Sequence, residues 1–223
     1  SGWRGGMGRG GGATAGQRWW GGERTWTVGP GGNCGAFIAC DAATGMKKWG
    51  RPEKLLTYSG AMVTAGDVAF YGTVEGWFKA VDARTGKVKW RYTPDNVAVF
   101  RNFGIVANRG VALCDGHVFV LTLDMTIVSL DPATGALERR VLIAKAVPGA
   151  SSVYGYSETS APICANHRLI IGAAGSDYGV RGVVMAYRPA LPPAAPSPFW
   201  TSPPPRPART GDGPRACLAG LRA

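Results

Sequence analysis

Ile38-Ala39-Cys40-Asp41-Ala42-Ala43-Thr44-Gly45 is followed, four residues on, by Trp49, and Lys79-Ala80-Val81-Asp82-Ala83-Arg84-Thr85-Gly86 is followed at the same distance by Trp90. A third copy, Val128-Ser129-Leu130-Asp131-Pro132-Ala133-Thr134-Gly135, leads to Arg139 at that offset. The Asp-to-Asp separations are 41 and 49 residues. A unit of this length with a fixed signature marks a repeat architecture, and β-rich units of this size point to a propeller. The chemistry inside the unit is that of a hairpin. The Asp carboxylate accepts nearby backbone N–H groups, and the Gly supplies the positive φ the turn requires. Lys87 to Tyr92 forms the return strand and carries a large aromatic able to wedge between neighbouring sheets. Further short strands are predicted from Trp77 to Val81, Val68 to Thr73, Val118 to Thr122, Leu169 to Ile171 and Val183 to Tyr187, the second and third preceded by the turn pairs Gly66-Asp67 and Asp115-Gly116. No stretch sustains a helical period. The expected fold is all-β: a partial β-propeller of about four blades.

Composition supports a folded centre between two unusual ends. The 223 residues, 45% hydrophobic and 17% charged, suit one medium domain or two small ones. Thirty-four Gly and sixteen Pro argue against a helix bundle. No apolar run approaches the roughly eighteen residues of a transmembrane helix, so membrane insertion is not expected. The formal charge of +11 raises the question of nucleic acid, but much of the excess sits at the ends. Residues 1–28 hold four Arg, one Glu and ten Gly; residues 188–223 hold five Arg, one Asp and ten Pro. All seven Lys lie between positions 47 and 145. Such Gly/Pro/Ala/Arg-rich ends are what GC-rich DNA encodes when read out of frame. The competing reading, an arm for RNA or for aromatic grooves, lacks any repeated RGG or consistently flanked PxxP unit. Nucleic acid is therefore not an expected partner, and both ends are expected to be disordered, because they bury too little apolar surface to offset chain entropy. The folded part divides at residues 29–95 and 96–187.

The Asp-x-x-Thr-Gly-x-x-x-Trp unit resembles the tryptophan-docking repeat of the pyrroloquinoline quinone (PQQ) dehydrogenases, eight-bladed propellers that oxidise alcohols in the periplasm. Two longer blocks narrow the resemblance to the methanol/ethanol dehydrogenase branch. Gly29-Pro30-Gly31-Gly32-Asn33, Ser59-Gly60, Thr64-Ala65-Gly66-Asp67 and Phe70-Tyr71-Gly72-Thr73, on to Trp90, are similar to a late part of those enzymes. Asn108-Arg109-Gly110-Val111-Ala112, Leu123-Asp124, Thr159-Ser160-Ala161-Pro162, Ile170-Ile171-Gly172 and Gly179-Val180-Arg181-Gly182 are similar to an early part. The family's end thus precedes its beginning here. In a closed ring the first and last blades are neighbours, so the two blocks are expected to pack side by side as one arc, with open sheet edges. After Met185-Ala186-Tyr187 the family would have Asp and a turn, whereas Arg188-Pro189 follows, and a frame change is expected at that point. The chain reads as a fragment.

The resemblance also implies a site. PQQ is a flat tricarboxylated quinone. Arg109 falls on the family's cofactor-facing Arg, whose planar fork of donors matches carboxylate geometry. Thr159 falls on a hydroxyl that hydrogen-bonds a cofactor carboxylate. Ala174, Gly175 and Ser176 match the cofactor-contacting loop. Asp177 stands where an acidic residue, commonly Glu, coordinates a calcium or lanthanide ion, which takes oxygen ligands. The family oxidises a primary alcohol by proton abstraction and hydride transfer to the metal-polarised quinone, passing electrons to a cytochrome c in the periplasm. The stretch after Ser1 does not read as a basic-then-apolar leader, so any export signal is expected to be missing or already removed.

Several departures limit what this chain is expected to do alone. Phe103-Gly104 stands where the family has an adjacent cysteine pair, and Tyr58 replaces a Trp usual before Ser59-Gly60. The family's catalytic Asp, remaining metal ligands and opposite-face Trp belong to a middle portion that is absent, so no catalytic base is assigned and no independent turnover is expected. An alternative is a non-enzymatic propeller scaffold that binds peptide or protein along its blade edges. The Gly-rich N-terminal runs lack the strand, GK[ST] ending and helix of a phosphate loop. His117 and His167 each sit beside a turn and read as exposed. Cys34 and Cys40 are candidates for pairing in an oxidising compartment, Cys114 and Cys164 read as buried thiols on apolar strands, and Cys217 lies in the tail.

Overall fold

The computed structural model describes residues 28–94, 107–147, 156–173, 182–189 and 197–201. Among these residues every extended element is a β-strand, and the only helical pieces are short 3-10 segments at Pro30–Gly32 and Ile143–Ala146. Four antiparallel sheets follow one another along the chain. The first pairs β1 (Gly35–Cys40) with β2 (Lys47–Glu53). The second is β3 (Met62–Val63), β4 (Val68–Gly72), β5 (Phe78–Asp82) and β6 (Val88–Tyr92), hydrogen-bonded in that order. The third is β7 (Ala112–Cys114), β8 (His117–Thr122), β9 (Thr126–Leu130) and β10 (Leu137–Leu142). The fourth is β11 (Ile163–Ala165), β12 (Arg168–Gly172), β13 (Val183–Tyr187) and β14 (Ser197–Thr201). Consecutive hairpins of this kind, one four-stranded meander per repeat, make propeller blades. The first sheet holds the third- and fourth-strand positions of a blade, because its Asp41 turn lies where the Asp82 and Asp131 turns lie in the next two.

The fourth sheet corrects one expectation. Residues 188–223 were expected to be disordered throughout, yet Ser197–Thr201 pairs antiparallel with β13, supplying the outer strand of its sheet. Backbone pairing asks only for free donors and acceptors on the edge of β13, which an apolar composition test does not see. The Gly/Arg-rich end at 1–27 and the rest of the tail lie outside the described residues.

The three repeat turns are chemically identical. In each, one carboxylate oxygen of the Asp accepts from the backbone N–H groups two and three residues on and from the Thr hydroxyl: Ala43, Thr44 for Asp41; Arg84, Thr85 for Asp82; Ala133, Thr134 for Asp131. These bonds, those from the Thr first among them, hold all three carboxyls below their usual pKa. The Gly of each turn has φ between 70° and 72°, a region closed to most side chains.

Adjacent sheets are joined by the residue eight positions past each Asp. The Trp49 indole N–H donates to the Ala83 carbonyl and the Trp90 indole to the Pro132 carbonyl, both at 2.9 Å. Each ring lies flat on the next turn's glycine: a Cβ on Gly86 would fall 2.7 Å from Trp49, and one on Gly135 would fall 2.5 Å from Trp90. At Gly45 a Cβ would meet nothing within 4 Å. In the third repeat Arg139 replaces the Trp, and its guanidinium donates to the Pro189 carbonyl at 2.7 Å. Pro189 stands one residue past Arg188, as Ala83 and Pro132 stand one past Asp82 and Asp131. The seam is conserved in geometry though the side chain differs.

Core packing follows these seams. Ala69, Tyr71 and Val81 pack against Phe37 and Trp49 between the first and second sheets, where Phe37 stacks on Tyr71 with ring centroids 4.1 Å apart. Phe70, Phe78 and Trp90 meet Val118, Val120, Val128 and Leu130 between the second and third. Between the third and fourth lie Phe119, Leu121, Ile127, Leu169, Ile171 and Met185. The blocks that resemble opposite ends of the family thus do pack side by side. A buried polar knot adds to the first seam: Glu53 accepts from the Tyr71 hydroxyl at 2.5 Å and from the Lys79 ammonium at 2.7 Å. Burial first, and the Glu53 carboxylate second, raise the Tyr71 hydroxyl pKa.

The cysteines depart from expectation. Cys114 on β7 and Cys164 on β11 form a disulfide with a Cα–Cα separation of 5.5 Å, while Cys34 and Cys40 are free. Each of the paired cysteines belongs to the first strand of its sheet, so the bridge ties the third sheet to the fourth. Reading both as isolated buried thiols treated the two strands separately; only the blade arrangement brings them together, and Cys164 itself is exposed. His167 is exposed in its turn as expected, whereas His117 opens β8 and is half-buried because its ring packs beside Phe119; each lies against a carboxylate, Asp115 and Glu138 respectively, at 2.6 Å.

Candidate functional site

Three short segments, each leading into the first strand of its sheet, lie side by side at one end of the arc: 58–60, 107–110 and 157–161. The Asn108 N–H donates to the Tyr58 carbonyl at 3.1 Å, and the Gly60 N–H to the Asn108 carbonyl at 2.9 Å. The Arg109 N–H then donates to the Thr159 carbonyl at 2.8 Å. Lateral bonding of this kind needs close backbone approach. A Cβ on Gly60 would lie 2.0 Å from the Arg109 carbonyl oxygen, which explains the Gly of Ser59-Gly60. Gly110, at φ 139°, could not be replaced without strain, and its N–H is held by the Asn108 side chain at 2.8 Å. The Asn108 amide also donates to the Leu121 carbonyl at 2.9 Å. The motif residues Ser59-Gly60, Asn108-Arg109-Gly110 and Thr159-Ser160 are therefore one hydrogen-bonded rung.

Arg109 and Thr159, fifty residues apart in sequence, meet on this rung: the guanidinium Nη1 donates to the Thr159 hydroxyl. Arg109 is exposed and Thr159 partly exposed. Among the described residues Arg109 has no carboxylate partner, so a full positive charge and four further N–H donors remain for a ligand. The other expected site residues, Ala174, Gly175, Ser176 and Asp177, lie outside the described residues, as do Phe103 and Gly104. Among the described residues no group of three or more His, Cys, Asp or Glu side chains is disposed to hold a metal ion.

Asn108 and Glu158, the immediate predecessors of Arg109 and Thr159, border a cleft instead. That cleft, of about 70 Å³, opens between the second and third sheets and is walled by Tyr58, Trp77, Phe78, Leu121 and Leu123. Glu158 is 1% exposed, and among the described residues only the Ser160 hydroxyl comes near its carboxyl, short of a well-formed hydrogen bond. Burial pushes its pKa up to about 8, opposed weakly by the Ser160 hydroxyl, itself directed to the Gly172 carbonyl at 3.3 Å. Thr73 also borders the cleft, and its buried hydroxyl has no partner among the described residues. Glu158 escaped the sequence reading. Tyr156, Ser157 and Glu158 are buried in succession, so no periodic pattern in the sequence marks the acid as inward-facing.

Blades locked by an indole or guanidinium N–H onto the next repeat's turn, with a cationic rung at one end, define an arc of a tryptophan-docked β-propeller. Residues 44–190 match the family described as PQQ: glucose/ethanol/alcohol dehydrogenase, beta-propeller domain, and the chain belongs to that family. It is 40% identical over 148 residues to the quinoprotein alcohol dehydrogenase PedH of Pseudomonas putida, an alignment covering 65% of this chain and 22% of that protein. It is 56% identical over 57 residues to a lanthanide-dependent methanol dehydrogenase of Methylacidiphilum fumariolicum, covering 26% of this chain and 9% of the relative. Among solved structures, the quinohemoprotein alcohol dehydrogenase of Comamonas testosteroni superposes with a TM-score of 0.54 at 28% identity, over 66% of this chain and 21% of that one. The chain spans about a fifth or less of the length of the curated relatives it matches.

Proposed function

We propose that this chain forms part of the PQQ pocket of an alcohol dehydrogenase. The observation that carries this reading is the meeting of Arg109 and Thr159, two residues fifty positions apart that the family resemblance assigns to the cofactor. The residues present fit such a group: an exposed guanidinium with unused donors beside a hydroxyl gives a planar fork suited to carboxylates. Arg109 would bind and orient one carboxylate edge, and Thr159 would fix it through its hydroxyl. Ala174, Gly175 and Ser176 would lie against the cofactor, and Asp177 would ligate a calcium or lanthanide ion. The bound quinone, with its metal, supplies the hydride-accepting carbonyl. The primary alcohol, the cytochrome c acceptor and the periplasmic location extend the same reading, as does the origin of the chain as a piece of a longer enzyme. No residue here acts as the base, so this chain alone does not oxidise alcohol. The scaffold reading has no comparable support, because a blade-edge peptide site has no use for the Arg109–Thr159 pair.

The test is an absorbance titration of the full chain with PQQ, with calcium or lanthanum present, in parallel with Arg109→Ala. Saturable binding weakened at least about tenfold in the variant is expected, the loss of a charge-assisted bidentate contact being worth about 1.5–3 kcal/mol. Equal binding by both proteins, or none by either, would overturn the assignment. Robust alcohol-dependent dye reduction by the wild-type chain would refute the claim that its base lies elsewhere.

A further inference from the structure

The first sheet holds two strands where the other three hold four, and among the described residues no strand pairs with the edge of β1 that faces away from β2. Which backbone groups that edge offers follows from its neighbours. The Cys34 N–H donates to the Lys54 carbonyl at 3.2 Å, on the β2 side. The Asn33 carbonyl points the other way and accepts from the Gly29 N–H at 2.9 Å. Hydrogen-bonding groups of successive strand residues alternate between the two edges, so Gly35, Phe37 and Ala39 direct theirs to the open one. An edge in this state is a template for a further strand.

The chain itself leads onto that edge. The Gly32 N–H donates back to the Gly29 carbonyl at 3.2 Å, and with the Gly29–Asn33 bond this closes Pro30-Gly31-Gly32 as a hairpin loop. Gly31 and Gly32 lie at φ 75° and 78°, which allows so short a reversal. β1 is the outgoing arm of this hairpin, so Val28 stands at the head of the incoming arm. Continuing the same register sets Thr27 opposite Gly35, Thr25 opposite Phe37 and Glu23 opposite Ala39 as hydrogen-bonded pairs. Trp26 then falls opposite Ala36, and Arg24 opposite Ile38. The residue types suit a strand: Thr25, Trp26, Thr27 and Val28 are β-branched or aromatic, no Pro precedes Pro30, and Gly21-Gly22 bounds the segment. The face that would receive Trp26 is apolar and uncovered. Ile38 is 50% exposed, and Ala36, Gly50 and Pro52, paired across β1 and β2, are exposed with it.

We propose that residues 23–28 pair antiparallel with β1 as a third strand of the first sheet, in this register, with Trp26 over Ala36 and Ile38. The occupant is this chain's own segment, because the hairpin loop holds it at the edge at an effective concentration far above that of a second copy in dilute solution. The inference uses neither Arg109 nor Thr159 and stands whether or not the chain binds PQQ.

The experiment is NMR spectroscopy of the isotope-labelled full chain. A cross-strand Hα–Hα NOE between Trp26 and Ala36 is expected, since opposed residues of a non-hydrogen-bonded pair bring their Cα atoms to about 4.5 Å. The amide hydrogens of Thr25, Thr27, Gly35 and Phe37 are expected to exchange at least about tenfold more slowly than in an unstructured peptide, independently of protein concentration. Thr25→Pro, which removes a donor from the middle of the strand, should abolish the protection of Gly35 and Phe37 and leave that of Ala36 and Ile38, which face β2. Gln17→Pro, outside the segment, should change none of these. Absence of the Trp26–Ala36 NOE, unprotected amides at Thr25 and Thr27, or protection unaltered by Thr25→Pro would each overturn the proposal. Protection that disappears on dilution would assign the edge to a second copy and overturn it equally. The NOE and the wild-type exchange rates need no variant, so they decide the matter should Thr25→Pro not fold.

Discussion

Replacing Glu158 by Gln should stabilise the protein, and by an amount that depends on pH. In the native state burial keeps the carboxyl protonated up to about pH 8, whereas in the unfolded chain it ionises near its ordinary value of 4.5. Between those two values the native state binds more protons than the unfolded state, so stability falls as pH rises, by about 1.4 kcal/mol per unit. The contribution of the neutral carboxyl is complete below about pH 4.5, declines through neutrality and levels off above about pH 8. At pH 7 the accumulated cost is about 3 kcal/mol, and above pH 8 about 5 kcal/mol. Gln has nearly the same shape and does not titrate. The variant should therefore match the wild type near pH 4.5, exceed it by about 3 kcal/mol at pH 7 and gain no more beyond pH 8. Urea denaturation of both proteins between pH 5 and 9 measures this, and titrations common to the two cancel in the difference. A difference constant across that range would mean that the carboxyl is hydrated or paired in the native state, and the burial argument would fail.

Two further outcomes test the seams. Gly135→Ala should destabilise by about 3 kcal/mol or more, adding displacement of Trp90 to the cost of positive φ, whereas Gly45→Ala, which meets no neighbour, should cost about 1 kcal/mol; paired thermal melts separate the two. The Cys114–Cys164 bridge closes a 50-residue separation, and Cys164→Ser should lower stability by about 2–4 kcal/mol, with peptide mapping of the unreduced wild type expected to recover these two cysteines in one linked pair.

How far the sequence alone reached depended on whether a feature was local. The Asp-x-x-Thr-Gly turns are closed within five residues by hydrogen bonds those residue types are built to make, and Asp41, Asp82 and Asp131 turn in the same way. Strands β4, β5, β6, β8, β12 and β13 fall within a residue of their predicted limits for the same reason. The Arg109–Thr159 contact was reachable only through family resemblance, since nothing in either segment announces a partner fifty residues away. The Cys114–Cys164 bridge and the strand at Ser197–Thr201 were missed because both are settled between sheets or at a sheet edge. Glu158 was missed for the same reason: Tyr156, Ser157 and Glu158 are buried in succession by the packing of the sheets, which no local periodicity announces.

The third seam shows what the docking position requires. Trp49 and Trp90 each bring two things to the next blade: an N–H at the far end of a rigid planar group, and a flat face for a glycine without a side chain. Arg139 keeps the first, placing a planar guanidinium donor on the Pro189 carbonyl, and a second contact joins it to the Tyr187 hydroxyl at 3.3 Å. A Lys at this place would offer a donor of similar reach but no plane, and a Leu would offer packing with no donor. A single carbonyl at a fixed distance from the turn therefore sets the register between blades, and any planar side chain that reaches it can hold the seam. That register is what positions the segments 107–110 and 157–161 side by side, because each enters the first strand of a sheet whose place is fixed by its neighbour's dock. The Arg109–Thr159 pair is thus a consequence of the seams: with the third and fourth sheets shifted by one residue, the Arg109 N–H would miss the Thr159 carbonyl and the guanidinium would lose its hydroxyl.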